Sequence, residues 1–233
     1  MIHVSLPDGS TREFEPGISI LAVAEAIGPR LAKDAVCAYV DGKLRDLRET
    51  LTEDCTLTLV TSDSPQALEV LRHTTTHIMA QAVKRLFPQA KLGIGPAIKD
   101  GFYYDFELDQ SFTPEDLERI EAEMRKIIAA DLPIERKVVS KGDARSLLIR
   151  RGEDLKLELL DEIEDKTVTL FSQGEFVDLC RGPHLRSTGQ AKYFKLTGVA
   201  GAYWRGDPTA AMLQRIYGTA FFTKKELDSY LQQ

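Results

Sequence analysis

The chain has 233 residues, 43% hydrophobic and 28% charged, with a formal net charge of −6 at pH 7. This length and composition predict a soluble globular protein with room for two domains. No stretch approaches the ~20 consecutive apolar residues that a membrane-spanning helix needs, and the first residues lack the basic and apolar regions of a signal peptide, so we expect no membrane partner and a cytoplasmic location. The net negative charge argues against indiscriminate binding to nucleic acid, because Lys and Arg supply phosphate contacts.

The first sixty residues predict short strands around a helix. Alternating apolar residues over 2–6 precede a turn at Pro7-Asp8-Gly9, and residues 11–14 return as the hairpin partner. A helix follows from near Ser19, and residues 56–60 form a closing strand. This order is typical of a β-grasp, ubiquitin-like domain, and it contains no catalytic grouping of its own.

The rest of the chain predicts an α+β domain. Ser64 caps a helix whose first turn contains Pro65 and which runs to about Leu86. A helix is predicted to begin at Pro114, two shorter helices over 142–150 and 155–163, and a strand pair over 167–179. The capping box that begins at Thr223 predicts a final helix. We therefore expect domains over residues 1–62 and 63–224, followed by the start of a further helix over 225–233.

Two short segments carry the groups best suited to chemistry. His73 and His77 lie four residues apart on one face of a predicted helix, and Cys180 precedes His184 by the same interval. Four such ligands could close a structural zinc site, and three could leave an open position for a bound water. A neutral imidazole could instead act as a general base without metal. Spacing alone does not choose among these possibilities.

Two common site types are excluded by the residues present. The HxxxH segment has Thr74 where a zincin protease carries its catalytic Glu, so peptide hydrolysis by that route is not expected. The pair Gly93 and Gly95 lacks the third glycine and the Lys-Ser/Thr of a phosphate loop, so we do not expect nucleotide binding there.

Four motifs spread along the chain closely resemble those of bacterial threonyl-tRNA synthetases. They are His73-Thr-Thr-Thr-His77, Asp100-Gly-Phe-Tyr-Tyr-Asp105, Asp178-Leu-Cys-Arg-Gly-Pro-His184, and the stretch from Gly201-Ala-Tyr-Trp-Arg-Gly-Asp207 to Leu213-Gln-Arg-Ile-Tyr-Gly218. The resemblance implies an α+β protein: a β-grasp TGS domain over 1–62, and an α+β editing domain of the threonyl/alanyl-tRNA synthetase second-additional-domain type over 63–224. Residues 225–233 would begin a linker helix towards a catalytic core.

The family resemblance also implies an activity. Editing domains of this kind hydrolyse the ester of serine wrongly attached to threonine tRNA. Such a site is needed because serine is smaller than threonine by one methyl group, and an apolar pocket gains only ~1–3 kcal/mol from a methylene. In that family a class II ligase core and an anticodon-binding domain follow, usually in a homodimer, so we expect no aminoacylation by this region.

The resemblance assigns catalytic roles to five residues. We expect His73 to activate the water as a base, and His77 and His184 to orient water and substrate. Cys180 would position the scissile ester. Lys156 would activate a water or stabilise developing negative charge.

Two further residues are expected to bind the substrate. By the same resemblance, Asp178 would hold the serine ammonium, and Tyr104 would line the pocket near the terminal nucleotide. The partner is then the acceptor end of threonine tRNA, and the basic runs over 137–151 and 181–217 would contact its phosphates. No cofactor is expected for editing.

Two alternatives stay open. A zinc-dependent deacylase of alanyl-tRNA type would use His73, His77, Cys180 and His184 as metal ligands. A non-catalytic tRNA-binding or regulatory module would use its histidines structurally. Loss of activity on adding a chelator would indicate the first alternative. Binding of tRNA without hydrolysis would indicate the second.

Overall fold

The computed structural model describes residues 1–233, which divide into two compact units. The first unit contains Met1–Val70 together with the short segment Gly182–Leu185. The second unit contains Leu71–Arg181 and Arg186–Gln233. None of the helices combines the length and the apolar character needed to cross a membrane.

The first unit is built around a five-stranded sheet. Its elements are β1 (Ile2–Ser5), β2 (Thr11–Phe14), β3 (Ile18–Ser19), α1 (Ile20–Ile27), α2 (Pro29–Asp34), β4 (Ala35–Val40), β5 (Lys43–Arg45), β6 (Thr50–Leu51) and β7 (Cys55–Thr61). The strand order is β2-β1-β7-β4-β5, with β1 and β7 parallel and the other pairs antiparallel. This arrangement confirms the predicted β-grasp fold.

Helix α1 supplies the centre of that unit's core. The Ser19 side chain caps the helix by accepting the Ala22 N–H at 3.0 Å. Ile20 and Val23 are fully buried against the sheet. One element was not predicted: Pro29 does end α1, but it also occupies the first turn of the short helix α2, where its missing N–H costs nothing.

The second unit is α+β, as predicted. Its helices are α3 (Pro65–Leu86, which starts in the first unit), α4 (Pro114–Ala129), α5 (Lys141–Arg151), α6 (Asp154–Glu162) and α7 (Lys224–Leu231). Its strands are β8 (Lys91–Leu92), β9 (Ala97–Ile98), β10 (Gly101–Glu107), β11 (Glu135–Ser140), β12 (Thr167–Gln173), β13 (Phe176–Leu179), β14 (Tyr193–Tyr203) and β15 (Met212–Phe221). They form two main sheets, β14-β15-β10-β8 and β11-β12-β13, with β9 paired to β10.

Helix caps and strand registers determine where the candidate residues lie on these elements. The Thr223 hydroxyl caps α7 by accepting the Glu226 N–H at 3.2 Å, but the Glu226 carboxylate accepts from that hydroxyl at 2.8 Å and not from the Thr223 backbone N–H, so only half of the predicted capping box forms. In the larger sheet, Tyr104 on β10 pairs with Ile216 on β15. In the smaller sheet, Asp178 on β13 pairs with Phe171 on β12. Strand alternation therefore fixes which face each of these side chains occupies.

Candidate active site

Helix α3 presents two histidines on one face. The rings of His73 and His77 lie 5.4 Å apart between centroids and meet edge to face. His77 is buried, whereas His73 is half-buried. Of the threonines between them, Thr75 donates its hydroxyl to the Leu71 carbonyl at 2.7 Å and Thr76 donates to the His73 carbonyl at 2.6 Å. These intrahelical bonds let polar side chains occupy a fully buried stretch of helix.

A buried carboxylate gathers three donors next to these histidines. Asp178 on β13 is 2% exposed. Its Oδ1 lies 2.9 Å from the Lys156 ammonium of α6, and its Oδ2 accepts the Tyr104 hydroxyl at 2.8 Å. The His77 Nε2 lies 3.3 Å from the same Oδ2. The carboxylate thus ties α3, α6, β10 and β13 together around one charge.

Cys180 joins the cluster from the end of β13. Its Sγ lies 3.4 Å from the His73 Nε2, so a thiol and an imidazole form a hydrogen-bonded pair. Both side chains are half-buried, in contrast to Asp178 and Lys156, which are buried. The nitrogen or sulfur ligand atoms of His73, His77 and Cys180 lie within 4.8 Å of one another. The His73–Cys180 pair is therefore the more solvent-accessible part of the second unit's cluster.

The electrostatics of the cluster favour charged groups in spite of burial. Burial by itself raises the pKa of Asp178, but the Lys156 ammonium and the hydrogen bond from His77 outweigh it and hold that pKa well below its usual value. Burial lowers the pKa of His77, but its hydrogen bonds with Asp178 and Cys180 outweigh it and raise the pKa to about 9. At neutral pH the cluster thus contains an ionised Asp178 and a protonated His77.

This pKa shift makes the fold stability depend on pH. Because the folded pKa of His77 lies above its usual value of 6.5, its protonated ring stabilises the fold fully below pH 6.5, and this contribution is lost as the pH rises through about 9. The difference in melting temperature between the wild type and a His77→Gln variant should therefore shrink over that pH range. A difference that stays constant from pH 6.5 to 9 would show that His77 is neutral in the folded protein.

Gly95 makes room for the Tyr104 ring. A Cβ at this position would stand 2.1 Å from the Tyr104 Cδ2, which no side chain can tolerate. Tyr104 also stacks on Phe106 with centroids 5.0 Å apart. The ring is therefore held in one orientation, and this orientation aims the hydroxyl at Asp178. The sequence pattern around Gly93 and Gly95 gave no sign of this role.

Substituting Gly95 should therefore disturb the site indirectly, through the position of the Tyr104 ring. We expect Gly95→Ala to displace the Tyr104 ring, weaken its bond to Asp178, and destabilise the fold by ~1–3 kcal/mol through overpacking. Gly142→Ala is the matched control, because its Cβ would meet only the Ser140 Oγ, at 3.9 Å, in helix α5. Urea unfolding of both variants measures the difference. Equal stabilities for the two variants would contradict the steric role of Gly95.

His184 lies in the segment that belongs to the first unit. It is buried, and its backbone N–H donates to the Asp46 Oδ2 at 3.0 Å. Cys180, four residues earlier in the chain, belongs to the second unit. The second unit itself brings six of the seven predicted site residues together: His73, His77, Tyr104, Lys156, Asp178 and Cys180.

Phe176 was not predicted as a site residue. Its ring packs edge to face on His77, with centroids 5.5 Å apart. It shares a face of β13 with Asp178, so the alternation of that strand is the signal that could have identified it. This contact shields one side of the imidazole from water.

Comparisons with known proteins match both parts of the chain. Residues 2–61 match the family model of the TGS domain, and residues 168–217 match that of the threonyl and alanyl tRNA synthetase second additional domain. Threonine–tRNA ligases from Symbiobacterium thermophilum and Geobacter sp. (strain M21) are both 56% identical, over 232 and 230 residues, or 99% of this chain. The ligase from Geobacillus kaustophilus is 50% identical over 233 residues. The chain spans 36% of the length of each of these ligases.

Proposed function

Because the chain carries a TGS domain and a threonyl/alanyl-tRNA synthetase second additional domain, and resembles threonine–tRNA ligases over its whole length, we propose that it hydrolyses the ester of serine wrongly attached to threonine tRNA. The reaction releases serine and uncharged tRNA. It needs a base for the attacking water, a stabiliser for the oxyanion, and an ester held in a fixed position.

The cluster around Asp178 supplies the stabiliser for the oxyanion. Its charge is the observation on which the proposal rests. The Asp178 carboxylate, the Lys156 ammonium and the protonated His77 together hold one net positive charge in a buried place. A preorganised positive site stabilises an oxyanion more strongly than water does, because no solvent has to reorient during the reaction. We assign Lys156 and His77 to the negative charge that develops on the carbonyl oxygen.

His73 supplies the base. It is half-buried, and its Nε2 lies 3.4 Å from the Cys180 sulfur, whereas the neighbouring His77 is held by the Asp178 carboxylate. Its imidazole takes a proton from water as the water oxygen bonds to the ester carbon. When the tetrahedral intermediate collapses, the bond from that carbon to the ribose oxygen breaks and the proton passes to the ribose oxygen. Cys180 lies beside this path and positions the ester.

The binding role of Asp178 depends on the contacts that its two oxygens already make. The Asp178 Oδ2 is taken by Tyr104 and His77, whereas Oδ1 lies 2.9 Å from the Lys156 ammonium but accepts no hydrogen bond, so a serine ammonium would share Oδ1 with the lysine. The contact with the ammonium stays a prediction, and we assign to Asp178 the anchoring of these three side chains. Tyr104 and His184 keep their proposed roles in lining the pocket and orienting the substrate.

We propose tRNA as the partner because the chain has exposed basic side chains. Within the basic run over 137–151, Lys137 and Arg150 are exposed on β11 and α5. Exposed Lys and Arg position a nucleic acid through its phosphates without reading its bases. Since aminoacyl-tRNA is used where proteins are synthesised, we also propose a cytoplasmic location.

Zinc is the competing hypothesis. The ligand atoms of His73, His77 and Cys180 match zinc in kind, and bonds of about 2.0–2.3 Å would require only a modest contraction of the cluster. Zinc binds neutral imidazole, so His77 would have to release its proton beside Asp178 for the metal to bind. Chelator sensitivity of the hydrolysis decides between the two hypotheses.

The experiment is deacylation of serine-charged threonine tRNA by the 233-residue chain, with and without a zinc chelator. We expect fast loss of serine that the chelator does not slow. Loss that the chelator abolishes would support the zinc deacylase. Binding of the charged tRNA without loss of serine would support a non-catalytic module.

A further inference from the structure

The segment Gly182–Leu185 is held by a pair of charged residues in the first unit. The Asp46 carboxylate, 1% exposed, accepts the backbone N–H of His184 at 3.0 Å. The Arg48 guanidinium donates to the His184 carbonyl at 3.3 Å and also to the Leu185 carbonyl. The two side chains pair with each other at 2.8 Å. Both the N–H and the carbonyl of His184 are therefore fixed by one ion pair.

We infer that Asp46 and Arg48 are positioning residues for His184, because they fix the backbone of an imidazole that the proposed function assigns to orienting water and substrate. The inference rests on the proposed function. It goes beyond it because the first domain contains no catalytic grouping of its own.

The ion pair sits on a rigid turn. The Asp46 Oδ1 accepts the Arg48 N–H at 2.9 Å, the Asp46 N–H donates to Glu49 Oε2 at 2.8 Å, and the Glu49 N–H returns to the Asp46 carbonyl at 3.0 Å. Between them, Leu47 is 1% exposed in the core, and its carbonyl accepts the Leu21 N–H at 2.9 Å. The turn is thus bonded to helix α1 and cannot shift without disturbing the β-grasp core.

This rigidity matters because catalysis is sensitive to small displacements. The Cα of His184 lies between two peptide groups that Asp46 and Arg48 hold, so the backbone atom that carries the imidazole is fixed in place. A displacement of about 1 Å in a catalytic group costs on the order of 100-fold in rate. A pair that holds the backbone in place therefore contributes to turnover without touching the substrate.

Arg48→Lys is the most informative substitution. Lysine keeps a positive charge beside Asp46, so the buried carboxylate is not left unpaired, but a single ammonium lacks the fork that reaches two carbonyls. We expect the variant to fold and its kcat for serine-charged tRNA to fall on the order of tenfold, with KM little changed. Arg45→Lys is the matched control, because Arg45 ends β5 directly before this turn and pairs with Glu49 at 3.0 Å. It should keep the wild-type rate.

A double-mutant cycle with His184→Ala distinguishes positioning from general destabilisation. If Arg48 acts through His184, Arg48→Lys should cost almost nothing further once the imidazole is absent. The same fold-loss in both backgrounds would overturn the inference, and so would wild-type kcat in the Arg48→Lys single variant.

A second readout does not depend on hydrolysis. The chain has four histidines, so their ring protons can be assigned individually by NMR using single alanine variants. Arg48→Lys should shift the ring resonance of His184 and leave that of the exposed His3 in place. An unmoved His184 resonance would refute the positioning role even if the wild type hydrolyses no ester, whereas absent hydrolysis with a shifted resonance would reject the proposed function alone.

Discussion

Replacing His73 with alanine should abolish the hydrolysis of serine-charged tRNA while the fold stays intact. The imidazole is the proposed base, and general-base catalysis contributes about 10²–10⁴-fold to such reactions. Its loss should be felt almost entirely in kcat. The ring is half-buried, with its Nε2 3.4 Å from the Cys180 sulfur, so its removal opens little of the core. We expect the free energy of unfolding to change by less than ~1 kcal/mol.

The matched control for this variant is His3→Ala. His3 lies on β1, pairs with Glu13 at 3.2 Å, and is half exposed. Single-turnover deacylation and urea unfolding should be measured for both variants. His3→Ala should keep the wild-type rate. If His73→Ala hydrolysed at that rate too, another group would be the base; if it unfolded, His73 would be a structural residue.

Asp178→Asn should produce a different result, because this substitution changes both activity and stability. An amide keeps the shape of the carboxylate but not its charge, and it leaves the buried Lys156 ammonium and the His77 ring without their counter-ion. Breaking one partner of a buried pair costs ~3–5 kcal/mol. The expected outcome is a protein that is less stable by about that amount and that no longer holds the cations in place for the oxyanion. Its rate should fall at least 100-fold.

A second buried carboxylate in the same unit provides the control. Asp105 accepts two hydrogen bonds from the Arg215 guanidinium, at 2.8 and 3.0 Å, and is 2% exposed. Asp105→Asn should therefore destabilise the fold in the same direction. Its kcat, measured at a temperature where both variants are folded, should stay near that of the wild type. Similar kcat values for the two variants would mean that Asp178 serves stability alone.

Local sequence signals explain which elements could be predicted. Helix α3 has a proline in its first turn and helix α7 a capping threonine, and both signals depend only on neighbouring residues. The hairpin of β14 and β15 was not predicted, because its strands contain glycines and their pairing is set by contacts across the sheet. β11 was missed for a related reason: its residues are mostly charged or exposed.

The site divides in a similar way. His73 and His77 could be placed together from their spacing on a helix, and Cys180 from its place at a strand end. Lys156 and Tyr104 entered only through the family resemblance, because a lone lysine and one of several aromatics carry no local signal. The charge state of His77 could not be predicted at all, since it depends on Asp178 a hundred residues away in the chain.

The role of the Asp46–Arg48 pair was equally hidden. Its partners are the backbone atoms of His184 and Leu185, and backbone contacts between distant segments leave no pattern in the side chains. The same holds for Gly95, whose function is to leave space for the Tyr104 ring. Both features become visible only when the packing is known.

The most direct test of serine-selective editing is the single-turnover deacylation of threonine tRNA charged either with serine or with threonine, by the same preparation of the 233-residue chain. We predict fast release of serine and release of threonine no faster than in buffer, with the serine reaction lost in His73→Ala. Equal release of both amino acids would contradict the proposed selectivity, and release of neither would contradict the proposed hydrolysis.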